Sequence, residues 1–198
     1  VYSWRGNKLN AGFVTTFNRY AVVSENRLTK ISGDFPKELA TLFGCAVTTG
    51  IGVIENKGAL KMGQSIVVVG AGGVGLNVIQ GASLLSANPI VAVDVHQNRI
   101  DLAKKIGATH GVLNRDATWI DQVLAIVGPT GADLVVDNTG VPAVISKCID
   151  LTKSTGKTVL IGVPKEGEKT SISTLPLHFG KVLTGTHGGD GNPQEDIP

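Results

Sequence analysis

From about residue 66 onward, short runs of β-branched apolar residues alternate with longer stretches in which apolar positions recur at helical spacing. That is the pattern of a parallel sheet whose strands are joined by crossover helices. Predicted strands cover 65–70, 89–94, 111–113, 133–137, 158–163 and 181–185, and predicted helices cover 73–85, 98–106, 119–127 and 142–151. Ile66-Val67-Val68-Val69 and Leu134-Val135-Val136 are apolar on both faces, as central strands covered by helices on each side must be. The fold class that follows is α/β, with a doubly wound six-stranded parallel sheet.

The first 35 residues read differently. Segments 13–17, 20–23 and 28–31 are β-rich and look like part of another, smaller unit, which places the domain boundary between 1–35 and 36–198. A helix is predicted from Pro36 through Asn56, interrupted near Thr48-Thr49-Gly50, and the glycine- and asparagine-rich tail from Gly188 reads as mobile. Hydrophobic residues make up 42% and charged residues 17% of the 198, which places the chain among globular proteins. The net charge of +2, with lysines dispersed, carries no basic stripe of the kind that engages nucleic acid. No apolar stretch approaches the roughly 18 residues of a membrane helix, and no signal-peptide run opens the chain. Cys45 and Cys148 make neither a CxxC nor a disulfide framework, so a reducing, cytoplasmic setting is expected. The absence of an initial Met and the abrupt end at Gln194–Pro198 read as those of an excised piece.

The strongest local signal is Gly70-Ala71-Gly72-Gly73-Val74-Gly75, a GxGxxG placed between a buried strand and a helical pattern. Gly70 permits the tight turn, Gly72 lets backbone approach a pyrophosphate, and Gly75 lets the helix pack closely. The unpaired N–H groups of Gly73 and Val74 then face the phosphate oxygens. The next strand, Ile90-Val91-Ala92-Val93, ends in Asp94, where a carboxylate accepts hydrogen bonds from the adenosine ribose. That carboxylate would repel a 2′-phosphate, which favours NAD over NADP, although Arg99 nearby has the charge to pair with either a phosphate or Asp94. Asp94 alternatively caps the helix near Asn98. Asp137 is read as bonding the loop Asn138-Thr139-Gly140, and Cys148 as a core residue. Thr139, Gly140, Ile161, Gly162 and Val163, at the carboxyl ends of strands, are expected to line the nicotinamide half of the cleft.

Beyond the glycine turn, the chain resembles the zinc-dependent medium-chain alcohol dehydrogenases, in the branch that includes the glutathione-dependent formaldehyde dehydrogenases. The resemblance spans nearly the whole chain and rests on segments 16–23, on Gly44-Cys45-Ala46-Val47-Thr48-Thr49-Gly50, on the glycine turn, on Asp94 and on Lys105-Ile106-Gly107-Ala108-Thr109. It implies a Rossmann domain over 36–198, a remnant of a GroES-like catalytic domain over 1–35, and hydride transfer between NAD and an alcohol or aldehyde. It implies further that Cys45 is a catalytic-zinc ligand and that Thr49, Ile161, Val163 and the backbone at Thr186-His187 face the nicotinamide. The pattern departs from the family in that no HxxE setting surrounds His96, His110, His178 or His187, and no four-cysteine zinc lobe is present. No complete catalytic set is therefore assigned, and the chain alone is expected to bind cofactor without turning over alcohol.

Three other readings remain. A zinc-free, NADPH-dependent quinone or enoyl reductase shares the fold, but Cys45 and Asp94 argue against it. A methyltransferase also uses a glycine turn, yet its antiparallel seventh strand has no candidate here. The third is a non-enzymatic module that only binds NAD(H). The last strand, around 182–186, is expected at a sheet edge, where pairing with a second copy would give a homodimer.

Overall fold

The computed structural model describes residues 2–9 and 18–197. Strands β1 (Tyr2–Trp4) and β2 (Asn7–Leu9) pair as an antiparallel hairpin. Its two-residue turn, Arg5-Gly6, has φ of 49° and 77°, the doubly positive geometry that matches strand twist. The sequence pattern did not predict this hairpin. The β-rich segment 13–17 lies outside the described residues. Segments 20–23 and 28–31 are not strands: they run as irregular chain with Tyr20, Val22 and Leu28 exposed. β propensity alone makes no strand where no ladder partner takes up the backbone groups.

The predicted 36–56 helix is two helices and a wider turn. Helix α1 (Lys37–Phe43) ends at Gly44, Cys45 adopts a non-helical backbone, and α2 (Ala46–Gly52) continues as a π-helical turn over Val53–Gly58, bent 45° from α1. The break thus falls at Gly44-Cys45 and not at Thr48-Thr49-Gly50. Thr48 stays helical because its hydroxyl bonds back to the carbonyls of Phe43 and Cys45, at 3.1 and 3.2 Å.

Six parallel strands follow: β3 (Ile66–Val69), β4 (Ile90–Asp94), β5 (His110–Leu113), β6 (Ala132–Asp137), β7 (Thr152–Leu160) and β8 (Val182–Gly185). They are joined by α3 (Gly73–Leu84), α4 (Gln97–Lys105), α5 (Trp119–Val127) and α6 (Pro142–Asp150), with an irregular crossover between β7 and β8. The spatial order β5-β4-β3-β6-β7-β8 reverses direction between β3 and β6. A crevice opens at such a switch point, at the carboxyl ends of the strands. Strand β7 begins earlier and ends earlier than predicted: Thr152 pairs with Ala132, an excursion follows, and the ladder resumes at Lys157 opposite Leu134. Residues 161–163 consequently lie beyond the strand.

Side-chain alternation along the strands builds two core layers. Ile66, Val68, Ala92, Leu134 and Val136 pack with Val78, Ile79 and Ala82 of α3 and with Val53 and Ile54. Val67, Val69, Val91, Val93 and Val135 pack on the other face with Trp119, Val123, Cys148 and Leu151. Each buried Val or Ile contributes about 1.5–3 kcal/mol, so these central strands are the most rigid platform available. The pairing register sets Val69 beside Val93 and Asp137, and the next residue of each strand, Gly70, Asp94 and Asn138, meets at the crevice.

Candidate cofactor cleft

At the end of β3 the backbone turns through Gly70 with φ of 93°, a conformation that penalises any side chain. The Gly70 N–H donates to the Val93 carbonyl at 2.8 Å, tying the turn to β4. A Cβ on Gly75 would overlap the Gly70 carbonyl, so the first turn of α3 is pressed onto the strand end. Gly72 and Gly73 differ in kind: a Cβ there would meet nothing within 4 Å. The protein's own packing leaves that space open beside the N-terminus of α3. The first intrahelical bond runs from the Leu76 N–H to the Gly72 carbonyl at 2.9 Å, and the N–H groups of Gly73, Val74 and Gly75 precede it, forming a site suited to an anion.

Asp94 stands on the other side of the turn with its side chain only 3% exposed. Its Oδ2 accepts the Ala71 N–H at 2.8 Å and its Oδ1 accepts the His96 N–H at 2.9 Å. Helix α4 begins at Gln97 with His96 as its N-cap and no side-chain cap bond, so Asp94 is not that helix's cap. It braces the glycine turn instead. Arg99, about half-exposed, brings Nη1 to 3.5 Å of Asp94 Oδ2, which makes it the carboxylate's charge partner.

These groups line one cleft of about 440 Å³, within the size range of small-molecule sites. The cleft brings together Gly70, Gly72, Gly73, Val74, Gly75, Asp94, Arg99, Thr139, Ile161 and Gly162 from the sequence reading. It adds Val69, Val93, Val95, Asn114 and Asn138, whose common signal is their place at or just beyond the carboxyl ends of β3–β6. Asp137 is fully buried and accepts from the Thr139 N–H and hydroxyl at 3.1 and 2.6 Å and from the Gly140 N–H at 3.0 Å. It is the anchor of that loop, as the sequence indicated. Cys148 is also buried, and burial, reinforced by the Asp137 charge, pushes its thiol well above the ordinary range.

Of the residues in the sequence reading, Thr49, Gly140, Val163, Thr186, His187 and the expected zinc ligand Cys45 stand outside the cleft lining. Thr49 is buried on α2, His187 caps the short turn Gly188–Asp190, and Val163 is exposed, while the backbone of Val163 sits where a Cβ on Gly140 would come to 2.7 Å. Cys45 is an exposed free thiol at the N-cap of α2. Among the described residues, no group of three or more His, Cys, Asp or Glu side chains stands close enough to hold a metal ion. Among the same residues, no single helix is long and apolar enough to cross a membrane.

The strand order, the glycine turn at the switch point and the cleft above it define a dinucleotide-binding domain of the Rossmann type. Residues 73–198 match the family of zinc-binding dehydrogenases. The S-(hydroxymethyl)glutathione dehydrogenase of Paracoccus denitrificans is 32% identical over 93% of the chain, and the class-P alcohol dehydrogenase of Arabidopsis thaliana is 35% identical over 93%. Among solved structures, the benzyl alcohol dehydrogenase of Acinetobacter calcoaceticus superposes with a TM-score of 0.88 at 31% identity over 93% of the chain. An alcohol dehydrogenase zinc-binding domain protein of Burkholderia ambifaria gives 0.87 at 34% over 94%. The chain belongs to the zinc-binding, medium-chain alcohol dehydrogenase family, and it spans 51% and 49% of the two curated relatives' own lengths. Membership in that family, with six parallel strands and no antiparallel seventh among the described residues, leaves the methyltransferase reading without support.

Proposed function

We propose that the chain binds NAD(H) across the carboxyl end of its sheet and serves as the cofactor domain of a zinc-dependent alcohol or formaldehyde dehydrogenase. The observation that carries this reading is the convergence of the glycine turn and Asp94 on one cleft, with the space beside Gly72 and Gly73 left free by the protein itself. In this reading the N–H groups at the start of α3 hold the pyrophosphate and Asp94 takes the adenosine ribose hydroxyls. A 2′-phosphate would stand against the Asp94 carboxylate, which disfavours NADP even with Arg99 alongside. Thr139 and Ile161 flank the nicotinamide, and Thr49, Val163 and the His187 backbone complete that half, as the family resemblance implies. When bound, the nicotinamide supplies a hydride donor or acceptor.

The described residues do not by themselves make a zinc site, so Cys45 is at most one ligand of three. We accordingly infer that this chain binds nucleotide without alcohol turnover, and that turnover belongs to a protein that brings the remaining ligands. Names of relatives point to alcohols, including S-(hydroxymethyl)glutathione, as the substrate class. Strand β8 closes the sheet's edge with Val182, Leu175 and Phe179 exposed nearby, the supporting observation for pairing with a second copy, which sedimentation at high concentration would test. Two free thiols fit a cytoplasmic setting.

The test is calorimetric titration with NADH, NADPH and S-adenosylmethionine, with and without Asp94→Ala. Binding of NADH in preference to the others, weakened by the substitution, is the expected result. Preference for NADPH would move the assignment to the reductase branch.

A further inference from the structure

The turn after β8 is tied to the helical segment ahead of β3 by polar contacts that the cleft itself does not use. The π-helical turn Val53–Gly58 carries Asn56 and Lys57. Asn56 Nδ2 donates to the carbonyls of Gly189 and Asp190 at 3.0 and 3.2 Å, and Lys57 Nζ pairs with Asp190 Oδ2 at 2.6 Å. Asp190 Oδ1 also accepts the Thr186 hydroxyl at 3.2 Å. The hydrogen bond from Lys57 holds the Asp190 carboxyl below the usual carboxylate range.

Gly188, Gly189 and Asp190 have φ of 64°, 74° and 53° in succession, a left-handed run that is uncommon for a residue with a side chain, though less so for aspartate than for most. Packing is close on the same face: a Cβ on Gly52 would stand 2.5 Å from the Gly189 carbonyl oxygen, and one on Gly189 would stand 2.7 Å from that of Thr49. The turn therefore packs on the Thr48–Thr49 backbone, and the Asp190 N–H ties it to the His187 carbonyl at 3.2 Å. Thr49 is 4% exposed, and its hydroxyl has no hydrogen-bond partner among the described residues.

Resting on the cofactor reading above, we propose that Asn56, seconded by Lys57, is a positioning residue for the nicotinamide half of the site, because it fixes the Gly188–Asp190 turn, which packs on the Thr49 backbone, and through it the adjoining His187 backbone. Asn56 touches no reacting atom. Its role is to set where the redox end of the dinucleotide rests, while the adenosine end, held by the glycine turn and Asp94, is independent of it.

The experiment compares NADH with ADP-ribose, which lacks the nicotinamide, by calorimetry on the chain and its Asn56→Ala and Lys57→Gln variants. The unsubstituted chain binds NADH more tightly than ADP-ribose. Asn56→Ala lowers NADH affinity about tenfold, the worth of one lost hydrogen-bonded anchor, and leaves ADP-ribose within about twofold. Lys57→Gln, at a half-exposed ion pair, acts in the same direction by about twofold to threefold and most clearly at low salt; it decides the matter if Asn56→Ala does not fold. Equal affinities for the two ligands in the unsubstituted chain, a parallel loss of both in the variants, or an unchanged ratio would overturn the proposal. Binding of neither ligand to the unsubstituted chain would instead contradict the cofactor reading.

Discussion

The two ends of the sheet carry similar chemistry and put it to different ends. At the amino end, Asp133 accepts the Ser65 N–H and hydroxyl at 3.0 and 2.8 Å, the Gln64 amide at 3.3 Å, and an ion pair from Lys153. At the carboxyl end, Asp94 accepts two backbone N–H groups and faces Arg99. Both are carboxylates braced by backbone and answered by a cation. Around Asp133 the donors are the chain's own and the cluster is closed. Beside Asp94 the strand order reverses, the glycines leave a cleft, and the first N–H groups of α3 face it with no intrahelical acceptor. A largely buried, well-bonded carboxylate is thus no sign of a site; open volume next to uncommitted donors is.

The sharpest way to break that contrast lies within the glycine turn. Gly75→Val forces a side chain into the Gly70 carbonyl and should cost about 3 kcal/mol of stability, read as a lowered urea midpoint. Gly72→Val enters free space, so the midpoint should hold while NADH affinity falls about 30-fold, or about 2 kcal/mol. If Gly72→Val unfolds the chain, or leaves binding intact, the space beside it is not a ligand's.

Asp133→Asn should cost about 1–2 kcal/mol, since the mostly buried carboxylate loses charge-assisted bonds from Lys153 and Ser65, with nucleotide affinity unchanged. Burial works against the charged form of Asp133, yet bonds from Lys153 and Ser65 hold its carboxyl below the usual value. A folded-state pKa below the unfolded one gives stability that is complete above about pH 4 and is lost as pH falls through the lower, folded value. Thermal melts across pH 2 to 7, an interval of about five units around that value, should therefore converge for the two proteins at the acid end. The smallest effect expected is a difference in thiol reactivity: a thiol reagent should modify Cys45 in the native chain and reach Cys148 only after denaturation, since burial raises Cys148.

The strands of the sheet were legible because their signal is local: Ile66–Val69 and Leu134–Val136 are apolar on both faces in any environment that buries them. The turn and Asp94 were legible because each glycine answers a backbone need within six residues of chain. What escaped was set by distant contacts. The break at Gly44-Cys45 falls where Cys45 takes a non-helical backbone between α1 and α2, and Thr48 reads as a helix breaker until its hydroxyl is seen bonding back along the chain. The early start of β7 depends on Ala132 meeting Thr152. Asn114 and Asn138 are ordinary loop residues until the register sets them over the cleft. The tail at Gly188–Asp190 reads as a loose glycine run because its clasp, Asn56 and Lys57, lies more than a hundred residues away.

The most direct measurement is an amide shift map of the isotope-labelled chain titrated with NADH. The account predicts the largest shifts at Gly70–Gly75 and Asp94, with Gln64, Ser65, Asp133 and Lys153 unmoved. Shifts concentrated at that amino end, or none in the glycine turn, would contradict it.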